Sequence, residues 1–155
     1  MTETEPRDGG LAELVGAVGT PAELRALLEL PGVDEAVVEE FAAAAGTAEI
    51  LDRLFALMAA RLLPAKAGRR RGTVRWDVRG PDGDHVYALQ IAEGRAEASR
   101  GAPDSPKAAF SVRLPDLLRL CAGTLNGVTA VMTGRIRVTG DLLFAARLQG
   151  WFDYH

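Results

Sequence analysis

The chain has 155 residues, a formal charge of −3 and a pI near 5.4. That length suits one domain with a core large enough to hold an internal cavity. The mild acidity excludes a global attraction to nucleic acid or to an anionic membrane, so either partner would need a local basic patch.

Cys121 is the single cysteine, which excludes an intramolecular disulfide and a cysteine-rich zinc site and agrees with a reducing cytoplasm. Its place in an apolar helix marks it as a buried, inert thiol. The first ten residues are polar and acidic, without the basic start and apolar run of a secretory signal. No apolar stretch reaches the roughly twenty residues that span a bilayer. The expectation is a soluble cytoplasmic protein. Every cation except Lys66 and Lys107 is arginine and alanine is abundant, a bias expected of a bacterium with a GC-rich genome.

In chain order, Leu11, Leu14, Val15 and Val18 have helical spacing, weakened by Gly16 and Gly19. Thr20-Pro21-Ala22-Glu23 is a stronger helix start, with a capping threonine, proline in the first turn and glutamate three residues on. Leu24, Leu27 and Leu28 give that helix one stripe, and Pro31-Gly32 stops it. A second helix starts near Asp34, presents Val37, Val38 and Phe41, and ends at Gly46. Residues 1–46 thus read as a helical extension whose stripes dock on the rest of the chain, with a partner-binding arm or lid as the other use.

Thr47 is placed to cap the next helix, where Leu51, Leu54, Phe55, Met58 and Leu62 recur until Pro64. The main domain is expected over 47–155. Lys66, Arg69, Arg70 and Arg71 then stand among small residues. They read as a solvated linker, or as a transient contact for anionic lipid headgroups, a phosphate-bearing ligand or an acidic partner. Nucleic acid is not expected, because no aromatics interleave the cations.

From Thr73 the period becomes two. Val74, Trp76 and Val78 alternate with charged residues, Pro81-Asp82-Gly83-Asp84 makes a hairpin turn, and Tyr87, Leu89 and Ile91 share one face of the return strand. A short third strand is expected near Arg95 to Arg100. A fourth carries Ala108, Phe110 and Val112 inward after a Gly/Pro/Ser loop, giving an antiparallel meander. Leu114-Pro115-Asp116 opens a helix bearing Leu117, Leu118 and Leu120 that stops at Gly123. A fifth strand is expected at Arg135 to Thr139. Gly140-Asp141 hinges into a last helix whose Leu142, Leu143, Phe144, Leu148, Trp151 and Phe152 exceed what one face needs.

Catalytic chemistry finds little support. His85 sits at a turn and His155 ends the chain, so no zinc site and no general base emerge. Asp82 and Asp84 lack the rest of a calcium loop. Gly123, Gly127, Gly134 and Gly140 read as turns because the phosphate-loop Lys-Ser/Thr step is missing. Asp116 and Asp141 read as helix caps. No cofactor and no metal are expected.

The run Gly123-x-Leu125-Asn126, then Ala130-x-Met132-x-Gly134-Arg135-Ile136-x-Val138-x-Gly140-Asp141-x-x-x-Ala145-x-x-Leu148-x-x-x-Phe152, resembles the C-terminal half of sterol carrier protein type 2 domains, and the similarity extends over roughly Thr47 to Asp153. Val131 departs from it, standing where an aromatic is common. The resemblance implies an α/β (α+β) domain: a five-stranded, largely antiparallel sheet covered by helices around a hydrophobic tunnel. On that reading Trp76, Val78, Leu89, Ile91, Phe110 and Val112 of the sheet face Leu54, Met58, Leu62, Leu117, Met132, Leu142, Leu148, Trp151 and Phe152 across a lipid-binding space. Gln90, Asn126 or Gln149 would orient a headgroup. The function implied is non-catalytic binding, and transfer within the cell, of a fatty acyl chain, sterol-like molecule or phospholipid. Two alternatives stay open: an enzyme or accessory domain acting on a hydrophobic intermediate such as a polyketide, and a dimerisation scaffold with a filled interior.

Overall fold

Residues 20–153 are described by the structure, a computed structural model. The helix expected at Leu11 to Val18 and the terminal His155 lie outside them. Helix α1 (Pro21–Leu28) begins as its capping residues dictate, with Thr20 Oγ1 accepting from the Glu23 amide at 3.2 Å. Helix α2 (Glu35–Ala45) does the same through Asp34 Oδ1 and the Val37 amide at 2.9 Å. Their apolar stripes close on helix α5 (Leu114–Ala122): Leu24, Leu28, Val38 and Phe41 meet Leu114 and Leu118 around an apolar gap of about 40 Å³. Arg25 Nε donates to the Ala122 carbonyl at 3.0 Å. Helices α1 and α2 are therefore packed against α5.

Charge reinforces that docking. Glu35 accepts from Arg113 Nη2 at 2.9 Å and lies 2.7 Å from Arg119 Nη1. The Arg113 hydrogen bond first, then that of Arg119, holds its carboxyl down at about 2, against an ordinary value of 4.5. A depressed carboxyl contributes stability above its unfolded value and loses it as pH falls toward the folded one. The side chain is 37% exposed, so solvent screening limits the contribution to under about 1 kcal/mol. Glu35→Gln is expected to melt one or a few degrees below the native chain at neutral pH. The gap should vanish between about pH 4.5 and 2 in thermal melts of both proteins.

Helix α3 (Thr47–Ala60) buries Ile50, Leu51, Leu54, Phe55, Leu57 and Met58 in the core, Ile50 against the gap beside α1, α2 and α5. Two expectations change here. Gly46, at φ +101°, is the residue before the helix, and Thr47 is already in its first turn and makes no capping bond. The helix also stops before Leu62. That leucine instead forms an antiparallel bridge with Phe152, beside a 2.7 Å bond from the Leu63 amide to the Trp151 carbonyl. A short α4 (Pro64–Ala67) follows.

The sheet has β1 (Gly72–Gly80), β2 (Gly83–Ala92), β3 (Arg95–Arg100), β4 (Ala108–Arg113) and β5 (Ile136–Gly140), in the order β3-β2-β1-β4-β5. The hairpin register pairs Val74 with Leu89 and Trp76 with Tyr87, so each inward set shares one face. The simple meander does not hold. After β3 the chain crosses the sheet and β4 pairs in parallel with β1, Trp76 opposite Phe110 and Val78 opposite Val112. The reason lies in the side chains: Ala108, Phe110 and Val112 are all buried and need a central position, whereas β3 offers only Ala96 and Ala98 and suits an edge. The other three pairings are antiparallel, so the sheet is mixed and largely antiparallel.

Candidate functional site

The C-terminal segment closes the helix-covered side of the sheet. Gly140, at φ +93°, permits the turn out of β5, and a Cβ there would sit 2.6 Å from the Lys107 carbonyl oxygen. Asp141 caps helix α7 (Leu142–Leu148), its Oδ1 accepting from the Phe144 amide at 2.9 Å. A 3-10 turn (Gln149–Trp151) follows. Phe144, Ala145, Leu148 and Trp151 face inward, and Phe144 meets Trp151 edge to face at 5.5 Å.

Under this segment Met58, Trp76, Leu89, Phe110, Leu120, Leu148 and Phe152 surround a cavity of about 20 Å³, room for roughly one water. The side chains interlock: Trp76 stacks on Phe110 at 4.6 Å and meets Phe55 edge-on at 5.8 Å. One polar atom breaks the pattern. Trp76 Nε1 is buried and, among the described residues, has no hydrogen-bond partner, a state that costs free energy in an apolar interior.

Six of the residues singled out in the sequence thus share one cavity wall: Met58, Trp76, Leu89, Phe110, Leu148 and Phe152. Leu54, Leu62, Val78, Ile91, Val112, Leu117 and Trp151 are buried in the same core around it. Met132 and Leu142 are not part of it. Met132 is 81% exposed because the six-residue helix α6 (Gly127–Met132) buries only Gly127 and Ala130. Leu142 is 62% exposed because a helical step of 100° per residue sets it away from the face of Phe144 and Leu148. Leu120 was missed, although it lies one turn after Leu117 on an apolar stripe.

The polar candidates go elsewhere. Asn126 Oδ1 caps α6 through the amides of Val128 and Thr129. Gln90 lines an open cleft of about 870 Å³ at the β3 edge, together with Asp52, Arg100 and Ser105. The Gln149 side chain lies outside what is described. In that cleft Asp52 accepts from Arg100 and from the Tyr87 hydroxyl, which also reaches the Ala48 carbonyl. The Arg100 hydrogen bond holds the Asp52 carboxyl below the ordinary carboxylate range, and burial followed by that carboxylate pushes the Tyr87 hydroxyl up. These groups pin α3 to β2 and β3.

Asp116 is not a cap. It is 1% exposed, accepts from Arg119 and Arg135 at 2.9 Å, and has Arg113 at 3.9 Å. His85 is half-buried against Asp82 Oδ1 at 2.9 Å. Burial pushes the Cys121 thiol up to about 12, which leaves it protonated and unreactive at neutral pH. Among the described residues no three potential metal ligands cluster, and no helix is long and apolar enough to cross a membrane.

Comparison with solved structures gives the fold independent support. The crystal structure of sterol carrier protein 2 like 2 from Aedes aegypti is 23% identical, with a TM-score of 0.55 over 70% of this chain and 97% of that one. The solution structure of palmitated SCP2L2 from the same mosquito is also 23% identical, with a TM-score of 0.55 over 63% and 88%. A double mutant of the sec-alkyl sulfatase PisA1 is 25% identical with a TM-score of 0.58, over 67% of this chain but only 16% of the sulfatase. This chain therefore spans about a sixth of that enzyme. No curated protein matches it in sequence. The model of the SCP-2 sterol transfer family matches residues 51–153, about two thirds of the sequence, and the chain belongs to that family.

Proposed function

We propose that this chain binds a hydrophobic molecule, a fatty acyl chain, sterol-like molecule or phospholipid, between the sheet and the α7 segment, and carries it inside the cytoplasm without transforming it. The observation that carries the reading is that Trp76, whose buried indole N–H has no hydrogen-bond partner among the described residues, lines an otherwise apolar cavity. A ligand carbonyl, carboxylate or hydroxyl would satisfy it. Family membership and the palmitated mosquito neighbour support the same chemistry.

The cavity as it stands holds no hydrocarbon chain, so binding requires Leu148 and Phe152 to withdraw. The gain can drive that: at about 0.8 kcal/mol per buried methylene, sixteen carbons contribute on the order of 12 kcal/mol before ordering costs. Residues 47–155 form the binding domain on this view. The lining comes from Leu54, Met58, Leu62, Trp76, Val78, Leu89, Ile91, Phe110, Val112, Leu117, Leu148, Trp151 and Phe152, and helices α1 and α2 of the 1–46 extension brace α5 from outside.

A fluorescent fatty acid titrated into the protein, with native mass spectrometry of the complex, tests this. The native chain is expected to bind one equivalent. Trp76→Phe keeps the packing but removes the donor, and should weaken a fatty acid several-fold more than a plain alkane. A protein that neither co-purifies with nor takes up any lipid would show the interior to be an ordinary core.

A further inference from the structure

The sheet ends in two edge strands, and β3 is the more open of them. β5 is five residues long and has α6 and α7 packed against it. β3 offers Arg95-Ala96-Glu97-Ala98-Ser99-Arg100 in unbroken register with β2, so neither a proline nor a bulge blunts it. Its outward groups follow from the hairpin. The two-residue turn Glu93-Gly94, with φ of +53° and +73°, makes Ala92 and Arg95 a hydrogen-bonded pair, and the alternation runs on to the 2.8 Å bond from the Gly101 amide to the Val86 carbonyl. Ala96, Ala98 and Arg100 therefore turn their backbone N–H and C=O groups away from β2, and no described residue hydrogen-bonds those groups.

The cleft of about 870 Å³ lies at this edge, where Asp52, Ala56 and Ala59 of α3 and Ala96, Ala98 and Arg100 of β3 line it. The four alanines leave room for larger side chains from outside. Arg100 is taken by Asp52 at 2.9 Å, whereas Glu97 and Asp104, exposed on the same cleft, have no ion pair among the described residues. Arg95, the other charge beside Glu97, stands at the hairpin end and lines a neighbouring cleft with Glu93. We propose that the β3 edge takes an extended basic peptide of a partner protein as a further strand. Its apolar side chains face Ala56 and Ala59, and its lysines or arginines, on alternate positions, face Glu97 and Asp104. Main-chain hydrogen bonds to Ala96, Ala98 and Arg100 hold it, and the alternation sets its register. The formal charge of −3 favours a basic partner as well. A second copy of the chain fits less well. Helix α3 lies closer to β3 than to β2, so pairing β3 with β3 would bring two α3 helices to roughly one strand spacing, about 4.8 Å, where helix axes need about 8–10 Å.

A fluorescently labelled hexapeptide of alternating lysine and valine, titrated into the full chain and followed by anisotropy, tests this. The native protein is expected to bind one equivalent and to ignore an isomer in which the lysines precede the valines. Bound peptide should slow hydrogen exchange at the Ala96, Ala98 and Arg100 amides. Ala98→Pro removes the central outward N–H without touching a bond to β2, and should weaken binding roughly tenfold. Glu97→Lys should weaken it by a few-fold, a difference that shrinks in salt. Where the proline variant melts far below the native chain, Ala56→Trp takes its place: the exposed position tolerates the ring, which occupies the peptide's space and should weaken binding as much. Absence of binding, equal binding of the two isomers, unchanged exchange at the three amides, or undiminished affinity of Ala98→Pro or Ala56→Trp overturns the proposal. So does a native dimer by light scattering that Ala98→Pro turns into a monomer, which would give the edge to a second copy. Fatty acid uptake is expected to be the same in these variants as in the native chain, so the peptide site and the carrier reading are tested separately.

Discussion

Asp116→Ala is expected to destabilise the fold by about 3 kcal/mol, near the lower end of what losing one partner of a buried ion pair costs. The carboxylate is 1% exposed and sits where three chain segments meet. Arg113 ends β4, Arg119 belongs to α5, and Arg135 stands just before β5. Arg119 and Arg135 both donate to Oδ1 at 2.9 Å. Without Asp116 the three guanidinium groups face one another with Glu35, and Glu39 near Arg113, to balance them. Their partial exposure, 34 to 47%, lets water recover some of the loss, which keeps the figure below the full burial penalty. Asp116→Asn retains an acceptor and should cost about half as much. Urea or thermal unfolding would register the alanine variant as a drop of roughly 8 °C. A change under about 1 kcal/mol would mean that the cluster behaves as ordinary surface pairs.

This cluster also marks where the sequence stops being informative. Asp116 follows a proline at a helix start, the local pattern of a cap, and only the tertiary position of Arg135, nineteen residues on, makes it a buried hub. Local patterns that act locally were legible. Thr20, Asp34 and Asp141 cap as their spacing dictates, and the period-two stretches place Val74, Trp76, Val78, Leu89, Ile91 and Phe110 on the covered face. The parallel crossover to β1 was not legible, because alternation fixes which face a side chain takes and says nothing of which strand lies beside it. The apolar excess of the last helix was visible, but its division into an inward and an outward face was not. Leu142 and Leu148 read alike in a list of hydrophobic residues and differ only by the helical step between them.

Phe110→Ala tests stability and site together. The ring is 1% exposed, stacks on Trp76 at 4.6 Å and forms one wall of the 20 Å³ cavity. Truncation removes its contacts and leaves a void in the middle of the sheet, at a cost of about 3–4 kcal/mol. In an ordinary core that loss is final. Where the surrounding surface exists to receive a hydrocarbon, the enlarged space makes binding easier, because the chain enters with less displacement of Leu148 and Phe152. The variant is therefore expected to melt well below the native protein without ligand, and to recover a larger share of its stability when a fatty acid of medium length is added, since a ligand that binds only the folded state raises its melting temperature with concentration. Leu51→Ala, a fully buried truncation outside the cavity wall, should lose comparable stability without regaining it. Equal responses of the two variants to added fatty acid would place the ligand somewhere other than beneath α7.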